Sequence, residues 1–261
     1  HHKLQKPCSS LKKKRVTTRG NFLLSANRII FKIAILAIFK VIAMSLALFD
    51  LDNTLIAGDS DHAWGEFLVA SGHINSIEYR KKNDEFYDDY NNGTLDIYAY
   101  LEFSLNILAQ IPMAQLLRLR SIFIKDHVTP MLLPKAAELL KKHRDAGDRI
   151  LIITSTNRFI VEPICKILGV KDVLATELER KDHKFTGKLR GIPAFGEGKI
   201  HHLNGWLGNN CLTLDRSSFY TDSINDLPLM LQVDYPVAVD PDPRLLNEAT
   251  TREWEIISLR N

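Results

Sequence analysis

The sequence contains little cysteine, which limits how the fold can be held together. The three cysteines, Cys8, Cys165 and Cys211, lie far apart in a chain of 261 residues. They form neither the framework of a small disulfide-stabilised protein nor the close pairs of a zinc site. Free cysteines are typical of a reducing compartment, so we expect a cytoplasmic protein.

The sequence also lacks an N-terminal hydrophobic run long enough to cross a bilayer. The apolar run 33–39 is bracketed by Lys32 and Lys40 and is much shorter than the ~20 residues that a spanning helix needs. We therefore expect no stable membrane association. The 45% of hydrophobic residues is nevertheless enough to bury a sizeable core, which excludes a disordered chain.

Acidic residues are absent from the first 43 positions, which hold seven lysines and three arginines. Three interpretations are open for this segment: a targeting or membrane segment, an amphipathic surface anchor, or upstream sequence that is not native. We favour the last, because Met44 is followed at once by a complete core strand. We therefore expect residues 1–43 to be a non-native or disordered basic extension.

The rest of the chain has no excess of basic residues. It carries 24 basic and 31 acidic side chains, which gives a net charge of −7. A mildly acidic body has no positive field that would attract nucleic acid, so we expect no nucleic-acid partner.

The order of the apolar patterns predicts an α/β fold. A short apolar strand ends at Asp50, helical patterns continue over 60–129, and strands alternate with helices after that. Such alternation is typical of a parallel sheet covered by helices on both faces. We predict a three-layer, Rossmann-like parallel-sheet core over 44–59 and 130–261, with a helical cap of 60–129 inserted after the first strand.

Polar side chains collect where the predicted strands end. Because ligands of open parallel sheets bind at the carboxyl ends of the strands, we expect these side chains to lie together. Lys199 precedes the last of these strands, at the start of a predicted helix. The strand-end residues are Asp50, Asp52, Thr154, Asp222, Asn225 and Asp226.

A cluster of carboxylates predicts a bound cation, since their mutual repulsion is otherwise costly. Mg²⁺ prefers oxygen ligands and usually combines one or two carboxylates with substrate phosphate. One carboxylate can attack phosphorus as a nucleophile, and a second, two residues on, can protonate the leaving oxygen and then activate water. These residue types therefore indicate metal-assisted phosphoryl transfer.

Four short stretches of the sequence resemble the motifs of the haloacid-dehalogenase-type phosphohydrolases. Phe49 to Leu55 resembles motif I (DxDxT), Thr154 motif II, Lys199 motif III, and Asp222 to Asp226 motif IV. The resemblance covers about 44–259. It implies that Asp50 is the nucleophile and that Asp52 is the general acid/base.

The same resemblance implies the other roles in the site. Three residues would hold Mg²⁺: Asp50, Asp52 (through its backbone carbonyl) and Asp222. Three residues would bind phosphate or substrate: Thr154, Lys199 and Asn225. Asp226 would support the site by pairing with Lys199.

The helical insertion resembles the cap of the phosphoserine-phosphatase-like branch, and runs 47–61 and 219–229 are similar to a bacterial subgroup of histidinol-phosphatase-type enzymes. This implies an Mg²⁺-dependent phosphomonoesterase that acts on a small phosphorylated metabolite through an aspartyl-phosphate. Histidinol phosphate is the first candidate, and phosphoserine or another amino-alcohol phosphate is the alternative. Motif II departs from the Ser-Gly-Gly of typical phosphoserine phosphatases, since Thr154 is followed by Ser155 and Thr156, which puts the same substrate pose in doubt.

The start of the insertion leaves two interpretations open for Asp59. It could be a helix cap, or it could contact the substrate's amine, since its position matches an acidic residue of phosphoserine phosphatases. We predict Ser60 as the N-cap residue itself. Four aromatic residues at helical spacing are expected to be core: Tyr79, Phe86, Tyr87 and Tyr90. The alternative class is a binding module that kept the fold and lost activity, and the intact Asp50 and Asp52 pair and Lys199 argue against it.

Overall fold

A computed structural model describes residues 45–74 and 77–260. The expectation that residues 1–43 are a non-native or disordered extension lies outside the described residues. Among those residues, no single helix is both long and apolar enough to cross a membrane; the helices Ile97–Gln110 and Met113–Met131 reach that length and composition only together, with a bend of 113° between them.

A parallel sheet forms the centre of the molecule. Within the described residues it has six strands in the order β3-β2-β1-β6-β7-β8, all parallel, and a separate two-stranded sheet pairs β4 with β5. This confirms the predicted α/β class. The strands are β1 (Leu46–Phe49), β2 (Arg149–Asn157), β3 (Asp172–Thr176), β4 (Leu178–Lys181), β5 (Lys184–Leu189), β6 (Ser218–Thr221), β7 (Tyr235–Val239) and β8 (Glu255–Ile257).

Helices cover both faces of the sheet and fill the segment between β1 and β2. Short 3₁₀ or π turns follow α4 and precede α8, at Ile124–Met131 and Ile224–Asp226. The helices are α1 (Ser60–Ala70), α2 (Ile77–Asn92), α3 (Ile97–Gln110), α4 (Met113–Phe123), α5 (Pro134–Ala146), α6 (Arg158–Ile167), α7 (Glu197–Asn210), α8 (Leu227–Met230) and α9 (Pro243–Thr251).

The central strand β1 shows why the fold has three layers. Its four residues are all buried, and successive side chains point to opposite faces of the sheet. Ala47 and Phe49 join the apolar cluster that includes α5, α6 and the inserted helices, whereas Leu46 and Leu48 join the cluster that includes α7 and α9. One strand without polar alternation thus anchors both helical layers.

The inserted helices α1 to α4 lie between β1 and β2, as the predicted fold class requires. Helix α2 ends at Asn92, and Gly93 follows with a positive φ of 69°, a conformation that favours glycine. The boundary of the cap domain at 60–129 stays a prediction. After β3 the chain forms an antiparallel pair of short strands, β4 and β5.

The prediction of Ser60 as the first N-cap is wrong by one residue. Asp59 occupies that position with an extended backbone, and its carboxylate accepts hydrogen bonds from the amides of Asp61 and His62. Aspartate is among the best N-cap residues because its oxygen reaches the free amides of the first turn. Ser60 is instead the first helical residue, where its amide faces the strand ends.

Candidate active site

Asp50 directly follows β1 and lies at the carboxyl edge of the sheet. Its amide donates to the carbonyl of Tyr220 at 2.9 Å, which ties it to the neighbouring strand β6. The residue is 3% exposed, and its Oδ1 accepts a hydrogen bond from Lys199 Nζ at 2.7 Å. The first acidic residue of the chain's DxDxT motif is therefore buried and paired with a cation.

Lys199 joins two carboxylates that come from different strands. Its ammonium group lies 2.7 Å from Asp50 Oδ1 and 2.7 Å from Asp226 Oδ2. Asp226 Oδ2 also accepts a hydrogen bond from the hydroxyl of Thr221 at 2.7 Å. The pairing of Asp226 with Lys199 implied by the resemblance is thus present, and it holds the lysine beside Asp50.

A close backbone approach brings Lys199 to this position. A Cβ on Gly198 would lie 2.0 Å from the carbonyl oxygen of Pro193, so only glycine fits between that loop and the start of α7. Gly196, at the N-cap of α7, has a positive φ of 52°. The two glycines allow the loop to turn sharply and place the first turn of α7 against the strand ends.

Asp52 is held by donors from two different elements. Its Oδ1 accepts from the amide of Ser60 at 2.6 Å, and its Oδ2 accepts from the hydroxyl of Thr156 at 2.8 Å. The hydroxyl of Thr154 is a longer partner of Oδ2, at 3.4 Å. Thr154 therefore lies in the site, but the shorter hydroxyl contact to Asp52 comes from Thr156.

Asp222 is held by Thr54, the last residue of the DxDxT motif. The hydroxyl of Thr54 donates to Asp222 Oδ1 at 2.8 Å and accepts from the amide of Asp222 at 3.0 Å. This reciprocal pair joins the loops that follow β1 and β6. Thr54 has no role among the sequence-based predictions. Its position as the threonine of the DxDxT pattern is the feature that indicates a role in the site.

Burial and mutual repulsion disfavour the charged forms of these carboxylates. Burial, together with the charges of Asp226 and Asp52, raises the pKa of Asp50 to about 7 despite the opposing effect of Lys199. Burial and Asp59 raise the pKa of Asp52 to about 6. Burial and the charge of Asp50 raise the pKa of Asp222 well above its ordinary value.

The charge balance of the cluster fits a divalent cation. The cluster contains four buried carboxylates, those of Asp50, Asp52, Asp222 and Asp226. Of the basic side chains described, only Lys199 bonds to this cluster, and it bonds to Asp50 and Asp226. A hard cation with oxygen ligands would offset the excess negative charge that raises these pKa values.

A second group of side chains with metal-ligand atoms lies on α1 and α2 and consists of His62, Glu66 and Asp84. These side chains already have protein partners: His62 lies 2.9 Å from Asp84, and Glu66 pairs with Arg80.

A cavity lies between the strand ends and the inserted helices. Its lining includes Ser155 and Thr156 from β2, the first turn of α1, and a set of aromatic and apolar side chains from α2 and α3. None of the described lining residues is lysine or arginine. The lining consists of Asp59, Asp61, His62, Asn83, Phe86, Tyr87, Tyr90, Leu95, Ile97, Tyr100, Ser155 and Thr156.

Two carboxylates of the α1 first turn face this cavity. Asp59 uses its Oδ1 to cap the helix, at 2.9 Å from the amide of Asp61 and 2.8 Å from that of His62. Asp61 Oδ1 accepts from Asn157 Nδ2 at 3.0 Å, and burial raises the pKa of Asp61 to about 6. Asp59 is thus a helix cap that also lines the cavity, and its contact with a substrate amine stays a prediction.

Asn225 is directed toward α2 rather than toward the carboxylates. Its Nδ2 donates to the carbonyl of Tyr90 at 3.0 Å and to the hydroxyl of Ser223 at 3.1 Å. The implied role of Asn225 in substrate binding therefore has no geometric support from its side-chain contacts, which connect the motif IV loop with the inserted helices.

The aromatic residues of α2 differ from the expectation of a core cluster. Phe86, Tyr87 and Tyr90 line the cavity, whereas Tyr79 stacks on Phe103 with ring centroids 4.5 Å apart. Helix α2 is mostly exposed, and Asn83 is its one buried residue among those described. The helical spacing was correct, but this face of α2 covers the cavity instead of a second hydrophobic core.

Fold and site together define a hydrolase class. Residues 47–231 match the family of haloacid dehalogenase-like hydrolases, and the chain belongs to this family. This confirms the resemblance that the motifs carry.

Two sequence relatives and one solved structure show which members of this family the chain resembles. The chain is 42% identical over 220 residues to a histidinol-phosphatase of Neisseria meningitidis serogroup C (strain 8013), a match that covers 83% of this chain and 99% of the relative. It is 31% identical over 219 residues to the phosphoserine phosphatase SerB1 of Mycobacterium tuberculosis (strain ATCC 25618 / H37Rv), covering 82% and 70% of the two chains. A crystal structure of a protein of unknown function from Bordetella pertussis Tohama I superposes with a TM-score of 0.79 at 38% identity, covering 84% of this chain and 100% of that one.

Proposed function

We propose that this phosphatase is an Mg²⁺-dependent phosphomonoesterase that hydrolyses histidinol phosphate through an aspartyl-phosphate on Asp50. The observation that supports the reaction is the pairing of a buried Asp50 with Lys199, while Asp52 is held separately by Ser60 and Thr156. Two carboxylates two residues apart thus have different partners, as a nucleophile and an acid/base require.

In the first half of the reaction, a carboxylate oxygen of Asp50 attacks the phosphorus atom. The Asp50 O–P bond forms and the bond between phosphorus and the leaving alkoxide oxygen breaks. Asp52 donates its proton to that oxygen, which leaves as an alcohol. The ammonium group of Lys199 stabilises negative charge on the phosphoryl oxygens, and the hydroxyl of Thr154 is a second candidate donor to them.

In the second half, water attacks the phosphorus atom of the aspartyl-phosphate. Asp52, now ionised, accepts a proton from this water as the new O–P bond forms. The bond between Asp50 and phosphorus breaks, which releases inorganic phosphate and restores the Asp50 carboxylate and the Asp52 carboxylic acid. The raised pKa of Asp52, about 6, suits a group that gives and takes a proton near neutrality.

The residues fit Mg²⁺ by their donor types and by their charge. Asp50, Asp222 and the backbone carbonyl of Asp52 would hold it, and the bound ion would neutralise charge on the phosphoryl group. Thr54 keeps one oxygen of Asp222 in place, which favours a preformed site.

The cavity supports a substrate that carries a protonated amine and an aromatic ring. Asp59 and Asp61 supply negative charge, and Tyr87, Tyr90 and Tyr100 supply aromatic surface beside it. Histidinol phosphate has an amine and an imidazole ring and lacks a carboxylate. The 42% identical relative that is named a histidinol-phosphatase supports the same choice.

Phosphoserine is the second candidate, supported by the phosphoserine phosphatase among the relatives. Its carboxylate would call for a basic partner, most often arginine. Neither Arg80 nor Arg120 is among the described residues that line the cavity. Arg80 instead pairs with Glu66, and Arg120 donates to the carbonyl of Phe159. The cavity therefore favours a substrate without a carboxylate.

The test is a panel of phosphorylated metabolites assayed with Mg²⁺. We expect the highest kcat/KM for histidinol phosphate, and lower values for phosphoserine and for neutral alkyl phosphates. A clear preference for phosphoserine would replace the proposed substrate while leaving the reaction in place. A protein inactive on every monoester would contradict the proposed function. The cytoplasmic location rests on cysteine usage and stays a prediction.

A further inference from the structure

Thr156 makes the shorter of the two threonine contacts to Asp52. The residue is 3% exposed, and its hydroxyl donates to Asp52 Oδ2 at 2.8 Å. The hydroxyl of Thr154 reaches the same oxygen only at 3.4 Å and also accepts from the amide of Thr156 at 3.2 Å. The two threonines of motif II therefore share Asp52 Oδ2, and Thr156 makes the shorter hydrogen bond to it.

The carboxyl group of Asp52 is oriented by two short hydrogen bonds at opposite oxygens. The amide of Ser60, at the start of α1, donates to Oδ1 at 2.6 Å, and Thr156, near the end of β2, donates to Oδ2. One donor on each oxygen sets the plane of the carboxyl group, which a single donor cannot do. The orientation thus depends on one backbone group and one side chain.

Threonine suits this task because of its branched side chain. A β-branched residue has few accessible χ1 rotamers, so the hydroxyl stays aimed in one direction. A threonine here also leaves the hydroxyl of Thr154 less committed to Asp52, and that hydroxyl remains available to the phosphoryl group.

We propose that Thr156 is a positioning residue that holds the Asp52 carboxyl group in the orientation from which it protonates the leaving oxygen. The inference rests on the proposed function, since it assigns a task within the same reaction. Displacing a reacting group by about 1 Å can cost on the order of 10²-fold in rate. The loss of Thr156 should therefore appear mainly in the step that needs the proton.

The experiment compares substrates that differ in how much they need this proton. Phenyl phosphate and p-nitrophenyl phosphate have similar shapes, but nitrophenolate leaves readily without protonation and phenolate does not. In Thr156→Val, which removes the hydroxyl and keeps the branched shape, we expect kcat/KM for phenyl phosphate to fall about tenfold more than kcat/KM for p-nitrophenyl phosphate. Thr156→Ser, which restores a hydroxyl, should recover most of the phenyl phosphate activity.

Several outcomes decide the proposal. Equal losses on both substrates, or no loss on either, would overturn it, and so would a Thr156→Ser variant that behaves like Thr156→Val. If Thr156→Val does not fold, Thr156→Ala is compared with Thr156→Ser in the same way. The proposed function fails separately: it is lost if Asp50→Asn keeps phosphatase activity, whatever the Thr156 variants do.

Discussion

The ammonium group of Lys199 lies 2.7 Å from Asp50 and equally close to Asp226, so one buried cation is shared by two buried carboxylates. Burial lowers the pKa of Lys199, but the charges of Asp226 and Asp50 outweigh this effect, and its pKa is raised overall. The lysine therefore stays charged throughout the accessible pH range. In the proposed reaction, the same lysine that pairs with Asp226 also stands beside the proposed nucleophile Asp50.

The first prediction concerns Lys199→Met, which removes this cation and keeps an unbranched side chain. Two buried carboxylates then lose their partner, and we expect the free energy of unfolding to fall by about 3–5 kcal/mol in urea titrations. Activity should be lost as well. Lys141→Met, on the exposed surface of α5, is the control and should leave stability within ~0.5 kcal/mol. Equal stability of the two variants would contradict the assigned pairing.

The second prediction separates catalysis from stability at Asp50. Asp50→Asn removes the proposed nucleophile and also removes one of the repelling buried charges, which burial already disfavours. We therefore expect no turnover, together with a melting temperature equal to or higher than that of the wild type in the absence of Mg²⁺. A variant that has lost activity because it is unfolded would show the opposite shift, and circular dichroism would detect it.

The third prediction concerns the metal. Chelation should stop turnover and Mg²⁺ should restore it, because two of the four buried carboxylates, Asp52 and Asp222, have no paired cation among the described residues. Asp222→Asn should raise the Mg²⁺ concentration required for half-maximal rate. Thr54→Val should do the same more weakly, since it removes only the hydroxyl that holds Asp222. Turnover in excess chelator would rule out the proposed metal site.

The fourth prediction is a pH dependence of stability without Mg²⁺. The pKa values of Asp50 and Asp52 rise from 3.8 to about 7 and about 6 on folding, so the native state binds more protons than the unfolded state between these values. The free energy of unfolding should therefore fall as the pH rises from about 4 to about 7. Thermal melts at several pH values measure this, and Asp50→Asn should show a shallower slope. A free energy of unfolding that rises over this pH range would contradict the raised pKa values of Asp50 and Asp52.

The fifth prediction concerns substrate choice. Asp61→Asn removes a cavity charge without removing the Asp59 helix cap, so we expect KM for histidinol phosphate to rise more than KM for p-nitrophenyl phosphate. Asp88→Asn, on an exposed position of α2, is the matched control and should change neither. Equal effects of Asp61→Asn on both substrates would mean that this carboxylate does not contact the amine or the ring.

Much of the site could be predicted from the sequence because it depends on backbone topology. Asp50 and Asp222 follow buried strands, and the carboxyl ends of parallel strands share one edge of the sheet. Lys199 follows a glycine-containing turn that marks the start of a helix. These positions follow from strand order and helix starts, which apolar patterns report directly.

Other features depend on side-chain directions that a single sequence does not reveal. Thr154 and Thr156 both point to the strand edge because alternate residues of a strand share a face, and only the distances distinguish their tasks. Asn225 bonds to Tyr90 because α2 docks over the motif IV loop, which no local pattern predicts. The prediction that the aromatic residues of α2 form a core failed for the same reason. Helical spacing shows that the residues share a face, but it does not show that this face covers a cavity.

The most direct test of the account is to trap the phosphoryl group on Asp50. Asp52→Asn should still be phosphorylated by p-nitrophenyl phosphate, whose leaving group needs no proton, but it should hydrolyse the aspartyl-phosphate slowly. We predict a burst of one nitrophenol per active site, followed by acid-quenched protein that carries one phosphoryl group on the peptide containing Asp50. That group should be released by hydroxylamine and should be absent from the Asp50→Asn/Asp52→Asn double variant. A burst without phosphorylated Asp50, or a phosphoryl group on another residue, would contradict the central claim.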